Sequence, residues 1–249
     1  MRRRCASRTD AAAICPFCYI GLRKFDKARE LFAAEGGKLD FSLHFEPFQL
    51  DPTLPLDSPV VKRERYAAKF GGAARVAAME VQMKERAKEV GIDLSCASSA
   101  RTGADLLDGG NLRATRDSHR LLAKAHEVGG EAKQRALAEH LFADYFEKEC
   151  VLTTRVLADA RRQDIGDLDV LIKASVESDV LDADAARAFL KSDEGIADYE
   201  QGVEHSRRQG ITGVPFFIFS GQSGKKLALS GAQDPETFVQ VRPRRSVSC

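Results

Sequence analysis

Cys15-Pro16-Phe17-Cys18 sets two thiols with two residues between them. At the start of a helix, that spacing lets the pair close into a disulfide. The stretch that follows, residues 20–35, places Leu22, Phe25, Ala28 and Phe32 on one helical stripe, so Cys15 sits just ahead of a helix. Free N–H groups and the macrodipole at such an end favour a thiolate. Pro16 suits the first turn, where a missing N–H costs nothing. Cys15 is therefore the expected attacking sulfur. Cys18, one turn in and more buried, is the expected resolving sulfur.

The rival role for such a pair is half of a zinc site. Zinc takes four ligands. The chain has no second C-x-x-C, and no H-x₃₋₅-H among His44, His119, His126, His140 and His205. Redox chemistry without a metal or cofactor is the expectation. The other cysteines, Cys5, Cys96, Cys150 and Cys249, are scattered. Cys150 reads as a packed thiol, Cys96 as a loop thiol, and Cys5 and Cys249 as tail residues. His119 reads as a structural histidine on a helix, and Tyr145 and Phe146 as helix core. Val214-Pro215 is the second notable feature, because proline inside an apolar strand cannot donate a ladder hydrogen bond. A cis peptide bond at the strand start resolves this.

The elements that must position these residues follow from periodicity. Gly36 and Gly37 end the first helix. Leu39, Phe41, Leu43 and Phe45 alternate with polar residues as a strand does, and Pro47 ends its regular pairing. QLDPTLPLDSP reads as a linker. The pattern is then helical over roughly 60–90, 115–128, 131–149, 153–163, 167–176, 182–191 and 193–208, with 95–111 as a loose loop. Val214 and Phe216–Phe219 form a short apolar strand, GQSGKK a turn, and LALSG a second strand that closes a hairpin. DPETFVQV starts a helix with Asp234 as N-cap and Pro235 at its first position. An α/β sheet domain over 1–55 and 206–249, interrupted by a helical insert over 56–205, is the expected organisation.

Composition narrows the function. The chain has 249 residues, 43% hydrophobic and 30% charged, with a net charge of +1 from 38 basic and 37 acidic residues. That balance gives no electrostatic footprint for nucleic acid or a membrane surface. No apolar run nears the ~20 residues that cross a bilayer. The basic start, MRRRCASRTDAAA, lacks the apolar stretch of a secretory signal. A cytoplasmic setting is expected, with organelle targeting by this short segment left open.

ICPFCYIGLRKF, FEPFQLDPTLP, SHRLLAKA, LFADYF, GITGVPFFIF and LSGAQDPETF, in this order, resemble the DsbA-like family and its cytoplasmic FrnE-like branch. The resemblance implies a thioredoxin-like fold with a large inserted all-helical domain. It also implies disulfide oxidoreductase or isomerase activity on protein or glutathione thiols and disulfides. By position it makes Cys15 the nucleophile, Cys18 the resolving thiol and Pro215 a cis-proline. The Val214-Pro215 loop would lie against the dithiol and, with Pro16 and Phe17, contact substrate. Two departures stand out. CASRTDAAA lacks the alternation of the strand that precedes the motif in this family, so the sheet is expected to lack its central strand. VRPRRSVSC stands where a longer closing helix is usual. The other readings are a glutathione-dependent kappa-type transferase or isomerase and a non-catalytic chaperone-like module. Retention of both sulfurs argues against the transferase.

Overall fold

The computed structural model describes residues 3–36, 39–94, 111–147, 164–220 and 226–241, without the side chains of 3–6 and 39–41. Cys96, Cys150, Cys249 and the expected helix over 153–163 lie outside the described residues.

A four-stranded sheet carries the fold, in the order β2-β1-β5-β6. β1 is Arg3–Ala11, β2 Leu39–Pro47, β5 Phe216–Ser220 and β6 Lys226–Ser230. β1 runs parallel to β2 and antiparallel to β5, and β5 and β6 form an antiparallel hairpin. The expectation of a missing central strand is therefore wrong: β1 is that strand. Its residues do not alternate in polarity because its neighbours supply the packing. Ser7 and Thr9 are buried and lie opposite Phe219 and Phe217 of β5, which are buried as well. Asp10, fully buried, accepts a hydrogen bond from the Ser206 hydroxyl, and burial raises its carboxyl above the usual range.

Helix α1, Pro16–Ala34, buries Leu22, Phe25, Ala28 and Phe32 against one face of the sheet. Phe25, Phe217, Phe219 and Phe238 form an aromatic cluster between α1, β5 and α8, Pro235–Gln240. Asp234 stands at the N-cap of α8, but its carboxylate makes no cap. It pairs with Lys24 at 2.7 Å instead, tying α8 to α1.

Between β2 and β5 the described residues are mainly helical. The stretch expected as one helix over 60–90 is broken. Val60–Val61 (β3) pairs with Asn111–Leu112 (β4), then α2 runs Lys62–Phe70 and α3 Ala73–Lys88. Gly71 and Gly72 separate α2 from α3 with φ of 84° and 111°, angles that side-chain-bearing residues avoid. The helices expected over 115–128 and 131–149 join as α4, Arg116–Phe146, kinked at Gly129 and Gly130. Helices α5 (Leu168–Glu177), α6 (Ala183–Lys191) and α7 (Ile196–Arg208) follow.

α4 and α7 pack on β2. The Gln134 amide accepts from the Phe45 N–H at 2.9 Å and donates to its carbonyl at 3.1 Å. One buried side chain thus satisfies backbone groups on the outer edge of the sheet.

His119 on α4 is buried, 5.9 Å from the Tyr199 ring. Burial pushes its pKa down to about 4, opposed by a hydrogen bond to the Phe48 backbone. The unfolded chain, with histidine near pH ~6.5, binds a proton that the folded chain refuses, so stability falls as pH drops from about 6.5 to 4. Thermal unfolding across that window is expected to show this loss. His119→Gln, which cannot titrate, is expected to flatten the slope by roughly one proton.

Candidate active site

Cys15 is the residue before α1, with extended φ/ψ of −98° and 114°, and Pro16 opens the helix. Its carbonyl accepts from the Cys18 N–H at 3.0 Å, and its own N–H donates to the Ala12 carbonyl at 2.9 Å. Both cysteines are free thiols, 5% and 3% exposed, so neither is open to indiscriminate reaction.

Their environments push the two thiols apart. A hydrogen bond from the Cys18 thiol lowers the pKa of Cys15; burial opposes this, and the N–H groups of Cys18 and Phe17 assist it. Cys18 is raised well above the ordinary thiol range by burial, by its hydrogen bond to Cys15 and by the charge on Cys15, against a backbone hydrogen bond from Ala12. That Ala12 N–H lies 3.5 Å from the Cys18 sulfur. The site thus favours one thiolate, held on Cys15.

The Val214–Pro215 peptide bond is cis. The Val214 carbonyl lies 3.7 Å from Cys15 Sγ, across 199 residues of sequence. The Pro215 carbonyl accepts from Gly231 N–H at 2.8 Å, which joins this loop to the end of β6. Cys15, Pro16, Phe17 and Val214 all line one cleft, and Cys18 and Pro215 sit directly behind it in α1 and the loop.

Gly21 sets how closely α1 approaches the loop. A Cβ there would lie 2.9 Å from Pro215 Cγ and 3.4 Å from Phe217 Cζ. Gly21→Ala is therefore expected to force the loop away from the dithiol. The expected cost is about 1–3 kcal/mol in urea unfolding, with slower disulfide exchange.

The cleft beside Cys15 is a cavity of about 500 Å³ walled by α2 and α3 as well as by the redox loop. Sequence reading missed these walls. QLDPTLPLDSP, read as a linker, supplies Leu54, which is buried, and Asp51. Against the opposing effect of burial, hydrogen bonds from Arg65 and Thr53 and the charge of Lys69 hold Asp51 down to about 2. That ion cluster fastens the segment to α2. Arg86 of α3 lies 5.9 Å over the Phe17 ring. His119 does not line this cleft. Among the described residues no group of His, Cys, Asp and Glu could hold a metal ion, and no helix is long and apolar enough to cross a membrane.

A dithiol at a helix start, facing a cis-proline loop on a mixed sheet, defines a thioredoxin-type redox fold. The chain belongs to the DSBA-like thioredoxin domain family, whose model matches residues 12–241. No curated protein sequence matches it significantly. Among solved structures it is similar to the probable DsbA oxidoreductase of Streptomyces coelicolor, at 25% identity and a TM-score of 0.73, over 95% of this chain and 87% of that one. The cytosolic disulfide reductase DsbM of Pseudomonas aeruginosa, solved with GSH, matches at 15% identity and a TM-score of 0.55, over 94% of this chain and 96% of that one. A 2-hydroxychromene-2-carboxylate isomerase matches at 16% identity and a TM-score of 0.52, over 91% and 89% respectively. The last two share the fold.

Proposed function

We propose that this protein exchanges disulfides through Cys15 and Cys18, with Cys15 attacking first. The placement of Cys15 at the start of α1, with its Sγ 3.7 Å from the Val214 carbonyl of the cis-proline loop, carries this reading, and the opposite shifts of the two thiols agree with it. The Cys15 thiolate attacks one sulfur of a substrate disulfide. The substrate S–S bond breaks, and the leaving thiolate takes a proton. Cys15 is then neutral in a mixed disulfide, so it no longer accepts the Cys18 hydrogen bond or repels a charge there. Two of the three influences that raise Cys18 vanish, and its thiolate becomes accessible. Cys18 attacks the Cys15 sulfur, the second substrate thiolate departs, and two electrons have passed from the dithiol to the substrate. The reverse sequence oxidises a substrate dithiol.

Pro16, Phe17, Val214 and Pro215 are the proposed substrate contacts. The Val214 carbonyl, beside Cys15, suits the backbone of an extended peptide thiol. Glutathione is one such thiol, and the DsbM neighbour was solved with it. A cytoplasmic reductase or isomerase of the FrnE-like type fits these features.

The pH dependence of alkylation tests this directly. Reduced protein is expected to react with iodoacetamide at Cys15 first, with a midpoint below the free-thiol value of ~8.5, while Cys18 stays unreactive. Equal labelling of both thiols with a midpoint near that of a free thiol would contradict it.

A further inference from the structure

The cleft beside Cys15 is too large for one side chain and falls within the ~300–1,000 Å³ that small-molecule sites occupy, at about 500 Å³. Among the described residues its walls are dominated by Leu54, Val76, Met79, Met83, Leu112 and Phe146. Leu112 and Phe146, 1% and 3% exposed, belong to the hydrophobic core and also line the cleft, so it reaches into the core. Its charged lining groups already have partners. The Lys62 ammonium lies 4.1 Å over the Tyr145 ring, Glu80 pairs with Lys84 at 3.1 Å, Asp51 pairs with Arg65 and Lys69, and the Arg86 guanidinium lies 5.9 Å over the Phe17 ring. Met79 and Met83 stand one turn apart on α3, and thioether side chains adapt to varied apolar shapes. Cys15 and Val214 are among its lining residues, so an occupant of the cleft reaches the reactive sulfur.

We infer that this cleft receives the apolar half of a low-molecular-weight disulfide, a group the size of a fused aromatic ring system, and presents its sulfur to Cys15. This rests on the oxidoreductase reading above. The Cys15 thiolate bonds to the sulfur of the apolar half, the S–S bond breaks, and the other half leaves as a thiolate that takes a proton. Cys18 then displaces the apolar thiol. The protein ends as the Cys15–Cys18 disulfide and the substrate as two thiols. A polypeptide substrate would instead run along Val214 and leave Leu112 and Phe146 without contact.

The test is single-turnover oxidation of the reduced full-length chain. Two probes share one leaving group: 2-naphthylmethyl 2-hydroxyethyl disulfide and bis(2-hydroxyethyl) disulfide. Both halves are alkyl thiols, so intrinsic reactivity is similar. The naphthyl probe is expected to react at least about tenfold faster, because its ring system leaves water in the cleft. Met83→Gln and Met79→Gln are each expected to cut that rate ratio by at least about threefold. Met79 is 42% exposed, so Met79→Gln keeps the test valid if Met83→Gln fails to fold. Equal rates for the two probes would overturn the cleft assignment and leave the oxidoreductase reading standing. A ratio that neither substitution changes, or a linear peptide disulfide that outpaces the naphthyl probe, would also overturn it. If neither probe closes the Cys15–Cys18 disulfide, both readings fail.

Discussion

Cys15→Ser is expected to abolish disulfide exchange. The reaction needs a sulfur anion, and a serine hydroxyl neither ionises near neutral pH nor forms a mixed disulfide. Cys18 cannot substitute, because it is buried and its pKa is raised well above the ordinary thiol range. The expected fall is at least about a thousandfold, or ~4 kcal/mol of barrier. Reduction of bis(2-hydroxyethyl) disulfide, coupled to glutathione turnover, measures it. Serine is close in size to cysteine and leaves the 3.0 Å hydrogen bond from the Cys18 N–H to the backbone carbonyl of residue 15 in place, so the melting temperature is expected to stay near that of the wild type. Residual exchange above about one tenth of the wild-type rate would place the reactive sulfur elsewhere.

Cys18→Ala has the second-largest expected effect, and of a different kind. Cys15 remains able to attack, but nothing releases the substrate half, so a Cys15 mixed disulfide accumulates and is visible by mass. The substitution also removes the hydrogen bond that does most to lower Cys15. Its midpoint is expected to rise toward the free-thiol value. The thiolate fraction near neutral pH falls with it, the higher nucleophilicity of the more basic sulfur recovers only part of this, and alkylation is expected to slow. Prompt release of substrate from Cys18→Ala, with no trapped adduct, would show that Cys18 does not resolve.

Much of this was legible in the sequence because it is local. The dithiol, Pro16 and the stripe of Leu22, Phe25, Ala28 and Phe32 lie within twenty residues of one another, and short-range spacing reports short-range structure. Phe216–Phe219 and the strand after it were legible for the same reason. β1 was not. Its stability comes from ladders to β2 and β5, and one oxygen of its buried Asp10 accepts from Ser206, 196 residues away, so no local alternation marks it. The cleft was equally hidden. Gly71 and Gly72 separate α2 from α3, whose Met79 and Met83 line the cleft that Cys15 also lines, and the Asp51 ion cluster holds the preceding segment in place. Each contact joins residues whose patterns, taken singly, read as helix surface or linker. Asp234 illustrates the converse: a residue of the right type at the right cap position was drawn instead to Lys24 of α1.

The central claim is that Cys15 and Cys18 form one redox couple. Equilibration of the reduced protein in glutathione buffers of graded ratio, followed by acid quench, alkylation and mass measurement, tests it most directly. The expected result is a single two-electron transition in which both thiols are lost together and only the Cys15–Cys18 disulfide forms. Two independently titrating thiols, or a pair that stays reduced across every ratio, would contradict it.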